Sequence, residues 1–217
     1  MAHRWQLVAL GFLLLAVSLV RGTDSPASAV RRGAPTDATV SASIMVVGDS
    51  IMRSAVAPLQ SRLVDRPGGR AATFNASGGL GVDDSRYVSS RIAMGIVATG
   101  GFDAIVINLG VNDTLAGYVT QDPAFHMRRI LDAAGTTPVL WLNQAETLPN
   151  HEVAAVAYNA ALRTSADQYS NLTIVDWGAV LDQHREYLDP DNLHLNPRGQ
   201  SVFAQMASDA IDAEVGA

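Results

Sequence analysis

Ile44-Met45-Val46-Val47-Gly48-Asp49-Ser50 is the stretch on which the reading of the fold turns. Four apolar residues without polar alternation read as a strand covered on both faces, and they stop abruptly at Gly, Asp and Ser. The same signature recurs outward along the chain, as short apolar runs closing on Gly, Asn or Asp. The candidate strands are Ile44 to Val47, Ala71 to Asn75, Ala104 to Asn108, Val139 to Leu142 and Leu172 to Val175. Segments of helical period fall between and after them, at Ser54 to Val64, Asp83 to Ala98, Pro123 to Ala134, Val153 to Tyr169 and Pro197 to Val215. Five strands alternating with five helices predict an α/β fold, a three-layer α/β/α sandwich around a five-stranded parallel sheet. Ligands bind such sheets beyond the carboxyl ends of the strands, so polar residues placed there are the candidates for chemistry.

Composition narrows the chemistry. The 217 residues are 48% hydrophobic and 17% charged, which suits one domain with a sizeable core. Cysteine is absent, which removes disulfides, thiolate metal sites and a thiol nucleophile. All fifteen basic residues are Arg, so neither a P-loop lysine nor a Ser-Lys dyad is available. A net charge of −6 gives no positive field for polyanions, and no nucleic-acid partner is expected.

The amino end reads as a targeting segment. His3 and Arg4 precede an apolar and small-residue run from Leu7 to Val20. As a helix, that run rises about 21 Å, short of a hydrocarbon core of about 30 Å. An export signal ending at Ala29, or at Gly22, is therefore expected, with an uncleaved anchor as the competing reading and a secreted or cell-envelope location as the consequence. Residues 30–42 are small and polar without apolar period, the composition of a flexible tether. The folded domain is expected over residues 43–217.

Four motifs carry candidate chemistry, three just after a predicted strand and one before the last helix. Gly48-Asp49-Ser50 would hold a hydroxyl at the sheet edge near the start of a helix, and reads equally as a plain helix cap. Asn75-Ala76-Ser77-Gly78-Gly79-Leu80-Gly81 can present backbone N–H groups, or can simply turn; it lacks the third Gly of a GxGxxG phosphate loop. Asn108-Leu109-Gly110-Val111-Asn112-Asp113 offers an uncharged carboxamide donor suited to an oxyanion, or an Asx turn. Asp191 and His194 stand three apart in Asp189-Pro190-Asp191-Asn192-Leu193-His194, so a carboxylate can reach the imidazole Nδ1 and leave Nε2 free. Asp189 competes for that role, with less favourable spacing.

The other histidines read as solvated side chains: His126 and His151 in or beside helices, His184 in a charged run. His151-Glu152 lacks the second His of a zinc-protease helix, because Ala155 stands four residues on. No metal or organic cofactor is expected. Met52 likewise breaks a Gly-x-Ser-x-Gly elbow.

In their order along the chain, Ser, Gly, Asn, then Asp and His, these motifs resemble the SGNH hydrolase superfamily, also called GDSL-type esterases and lipases. The resemblance spans about Ile44 to Ala213. It implies a flavodoxin-like fold with Ser50 as nucleophile, His194 as general base and Asp191 as its orienting partner. It further implies an oxyanion hole made of the Ser50 N–H, the N–H of Gly79 or Gly81, with Gly79 preferred, and the Asn112 side chain. Ile51 departs from the Leu of the GDSL signature at similar volume. Tyr158-Asn159, Asp176-Trp177 and Asp191-Asn192-Leu193-His194-Leu195 also resemble SGNH domains attached to bacterial membrane acyltransferases that O-acetylate envelope glycans. The expected activity is hydrolysis of acyl or acetyl esters on a small-molecule, lipid or glycan substrate. The alternatives are acyl transfer to envelope glycans and a secreted binding module without turnover.

Overall fold

A computed structural model describes residues 42–82, 95, 100–115 and 120–216. The strands are β1 (Ser43–Gly48), β2 (Ala71–Ala76), β3 (Ala104–Asn108), β4 (Val139–Leu142) and β5 (Leu172–Val175), all parallel, in the spatial order 2-1-3-4-5. This is the doubly wound, flavodoxin-like order, with its switch point between β1 and β3. There Gly48 lies in register with Asn108, and the Asp49 N–H donates to the Asn108 carbonyl at 3.1 Å. Ser77 N–H donates to the Gly48 carbonyl at 3.0 Å, so the ends of β1, β2 and β3 are tied side by side.

Six α-helices occur among the described residues: α1 (Ser50–Leu63), α2 (Val111–Thr114), α3 (Pro123–Ala134), α4 (Glu152–Gln168), α5 (Trp177–Gln183) and α6 (Pro197–Val215). A 3-10 turn covers Arg185–Tyr187. The strand assignments hold to within one residue at each end. Helix α1 begins four residues earlier than expected, because the Asp49 carboxylate accepts from Ile51 N–H at 2.9 Å and caps it. The short helices α2 and α5 were not expected; four and seven residues are too few for a helical period to show. Apart from Gly95, the expected helix from Asp83 to Ala98 lies outside the described residues, as do the expected signal segment and nearly all of the tether.

Alternation along the strands sends side chains to two cores, as a period of two requires. Ile44, Val46, Val106, Leu140 and Leu142 face α1 and α6, where they meet Leu59, Leu63, Phe203 and Ile211. Val47, Ile105, Ile107 and Trp141 face α3 and α4, against Met127, Ile130, Tyr158 and Leu162. Each fully buried Leu, Ile, Val or Phe contributes about 1.5–3 kcal/mol of transfer free energy, and both faces of the central strands collect it. The edge strand β2 departs from the expected apolar character: Ala72, Phe74 and Ala76 pack against the α1 and α6 core, while Ala71, Thr73 and Asn75, on the opposite face, are exposed.

Candidate active site

Ser50 is the first residue of α1, one position after the Asp49 cap. The first N–H groups of a helix have no intrahelical acceptor, so the Ser50 amide is available where the hydroxyl sits, at the positive end of the helix dipole. Gly48 makes the sharp turn possible. A Cβ there would lie 2.2 Å from Met52 Cβ and 3.0 Å from the Asn108 carbonyl, so no larger residue fits between β1 and α1.

The imidazole arrives from the other end of the chain. Leu188 and Leu195 form an antiparallel bridge, and Asp189 N–H donates to the His194 carbonyl at 2.8 Å. The turn between them carries Asn192 at a φ of 56°. Asn196 anchors its exit: the side-chain oxygen caps α6 through Gly199 N–H at 3.0 Å, while its Nδ2 donates to the carbonyls of Glu186 and Leu188. Gly199 lets the helix start there, since a Cβ would lie 2.2 Å from the Tyr187 carbonyl oxygen.

This turn places His194 Nε2 at 3.1 Å from Ser50 Oγ and His194 Nδ1 at 2.6 Å from Asp191 Oδ2. The second Asp191 oxygen accepts from the backbone N–H groups of Leu193 and His194. The His194 hydrogen bond first, then those two amides, hold the Asp191 carboxyl down at about 2. Asp189 contributes a backbone hydrogen bond to the turn, and the carboxylate on the ring is that of Asp191.

On the opposite side of the crevice, α2 straps down the loop after β2. Asn112 Nδ2 donates to the Leu80 carbonyl at 2.8 Å, and a carboxamide has a second N–H to offer. Asp113 accepts from Val82 N–H at 2.9 and 3.0 Å and from Thr120 Oγ1 at 2.8 Å. Gly81 packs against that carboxylate, where a Cβ would lie 2.7 Å from Asp113 Oδ1. Gly79 sits one turn earlier at a φ of 82°. Beyond β3, Tyr158 Oη and Gln144 Nε2 both donate to the Leu109 carbonyl, and Asn159 exchanges hydrogen bonds with the backbone of Gln144. These frame residues lie in helices and loops with nothing local to mark them, apart from the Tyr158-Asn159 pair noted in the resemblance.

A cavity of about 460 Å³ opens beyond β4 and β5, lined by Asn143, Gln144, Glu146, Asn159, Arg163 and Asp176 among others. A much smaller one of about 10 Å³ reaches Ile51, Asn108 and Leu193 beside the serine and the imidazole. Asn143, Gln144 and Glu146, just after β4, thus form part of the wall of the larger cavity. His151 corrects the sequence reading. It is buried, with Nδ1 at 2.9 Å from Thr114 Oγ1, because α4 turns its amino end inward against α2. His184 is exposed beside Glu186, as expected. Among the described residues no group of three or more His, Asp or Glu side chains converges as a metal site.

Comparison with known proteins agrees with the fold. The Streptococcus pneumoniae peptidoglycan O-acetyltransferase A C-terminal catalytic domain superposes with a TM-score of 0.60 at 20% identity, over 81% of this chain and 93% of that one. The psychrotrophic esterase EstA of Pseudoalteromonas gives 0.64 at 13% identity, over 79% and 97%. The acetylxylan esterase Axe2 of Geobacillus stearothermophilus gives 0.60 at 17%, over 81% and 94%. At these identities the likeness is one of fold. A Bacillus subtilis (strain 168) protein, YrhL, named for peptidoglycan O-acetyl transfer, is 29% identical over 108 residues, which are 50% of this chain but 15% of that much longer protein. The family model for GDSL-like lipases and acylhydrolases matches residues 46–202, across the serine turn, the Asn112 strap and the His194 turn alike, and the chain belongs to that family.

Proposed function

We propose that the protein is an exported serine esterase that hydrolyses acyl or acetyl esters through an acyl-Ser50 intermediate. The observation that carries the reading is the continuous path from Ser50 Oγ through the His194 ring to Asp191, with contacts of 3.1 and 2.6 Å. A serine hydroxyl is a weak nucleophile until a base takes its proton, and the base needs a third group to fix its tautomer. His194 Nε2 accepts the Ser50 proton as Oγ bonds to the ester carbonyl carbon. The tetrahedral oxyanion is held by the N–H groups of Ser50 and Gly79 and by the Asn112 carboxamide. The imidazolium then gives its proton to the departing alkoxide as the C–O bond breaks. Water, activated by the same imidazole, attacks the acyl-enzyme, and the acid leaves with Ser50 restored.

In this reading residues 1–29, or 1–22, direct export, residues 30–42 tether the domain and residues 43–217 do the chemistry at or outside the cell envelope. A second reading has a specific observation behind it. The likeness to the two peptidoglycan O-acetyltransferases favours transfer of the acyl group to a glycan hydroxyl in place of water.

The test is hydrolysis of p-nitrophenyl acetate and butyrate by the wild type and Ser50→Ala. Turnover lost in the variant supports the triad, and equal rates refute it. Adding a glycan acceptor to the wild type separates the two outcomes: an O-acetylated sugar product marks transfer, and unchanged release of acetate marks hydrolysis.

A further inference from the structure

Asp49, the residue before Ser50, is fully buried. Its Oδ1 caps α1 through Ile51 N–H, but its Oδ2 is enclosed and has no hydrogen-bond partner. Ionised carboxylates are not kept in such places without compensation, and taking up a proton is the usual resolution. A second carboxyl group acts on it from α2: Asp113, which both directly follows Asn112 and holds Val82 N–H. Tyr158, from α4, is coupled to both acids and is itself pushed well above its usual range by burial, so it stays neutral. The negative charge of Asp113 disfavours a second one on Asp49. Burial first, with Asp113 adding to it, raises the Asp49 carboxyl to about 7.

We propose that Asp49 is a positioning residue whose neutral, protonated form is the one in which the Ser50 centre turns over. The inference rests on the esterase reading above. A neutral Asp49 caps the nucleophile helix without adding charge. An ionised Asp49 sets a buried negative charge one residue from the place where the oxyanion forms, opposing it. The same charge repels Asp113, whose carboxylate clamps the loop carrying Gly79. No bond to substrate is involved; the proton passes to solvent as pH rises.

Asp49→Asn tests this directly, because the carboxamide oxygen keeps the cap and the side chain cannot ionise. With p-nitrophenyl acetate, wild-type kcat is expected to fall about tenfold on the alkaline side with a midpoint near 7, and Asp49→Asn to lack that fall. KM is expected to change little. Asp49→Asn should also melt at the higher temperature above neutral pH, whereas Asp49→Ala, which loses the cap, should melt lower throughout. An alkaline fall of the same size and midpoint in both active proteins overturns the proposal and leaves the esterase reading standing. Absence of Ser50-dependent turnover in the wild type sinks both. Should Asp49→Asn fail to fold, the carboxyl carbon-13 shift of Asp49 in Ser50→Ala reads the titration. An Asp49 already ionised at about pH 5, near the range of an ordinary carboxyl, overturns the proposal.

Discussion

Each member of the Ser50, His194 and Asp191 path answers to a different measurement. His194→Ala is expected to remove nearly all turnover, since no other base touches Ser50 Oγ among the described residues. Asn112→Ala should lower kcat by about 100- to 1,000-fold with little change in KM, because an oxyanion donor acts in the transition state. A raised KM alone would make Asn112 a substrate contact. Asp191→Asn should be severely impaired, whereas Asp189→Asn should stay close to wild type, because Asp189 serves through its backbone. The Asp191 carboxyl is depressed to about 2 from 3.8, so its contribution to stability is present above about pH 4 and lost as pH falls through 2. The stability difference between wild type and Asp191→Asn, followed by chemical denaturation, should be constant at neutral pH and shrink in strong acid. Ser50 and Asn112 could be singled out because their short motifs stand at strand ends, where the fold class itself directs attention, and Asp191 and His194 because their spacing puts a carboxylate within reach of a ring. Asp49 and His151 were not: an acid or an imidazole looks alike in sequence whether buried or solvated, and burial is conferred by residues far along the chain.

At the scale of elements, the His194 turn owes its shape to its anchors. Asn196→Ala removes the cap of α6 and two bonds to carbonyls, which predicts a loss of at least about 1 kcal/mol. Gly199→Ala places a Cβ against the Tyr187 carbonyl and should shift the start of α6. For both, the expected result is lower kcat than the loss of folded protein explains, measured as activity per folded molecule against circular dichroism. Gly48→Ala is harsher, because the obstruction is the Cβ of Met52 in the first turn of α1, which cannot move without the helix. These tight approaches had only partial sequence signals. Gly48 was expected in a turn, but the need for glycine at position 199 arises from Tyr187, twelve residues earlier. The helices α2 and α5 escaped notice for a related reason, since their placement depends on tertiary contacts more than on a repeating pattern.

At the scale of the whole molecule, the two cores hold the sheet between helices and so fix where the strand ends lie. Leu59→Ala, deep between α1 and β1, is expected to cost about 2–5 kcal/mol and to lower the melting temperature, while ester turnover per folded molecule at low temperature stays near wild type. A large loss of turnover in the folded variant would mean that α1 moves Ser50 when its packing is relaxed. The sequence by itself determined the class of fold, the number of strands and the identity of the polar groups at their ends, because alternation and strand termination are local properties of the chain. Only the tertiary structure decided the order 2-1-3-4-5, the union of Ser50 with a turn 144 residues away and the enclosure of Asp49. Those follow from which apolar faces bury one another, and that choice is made among segments with no neighbourhood in sequence.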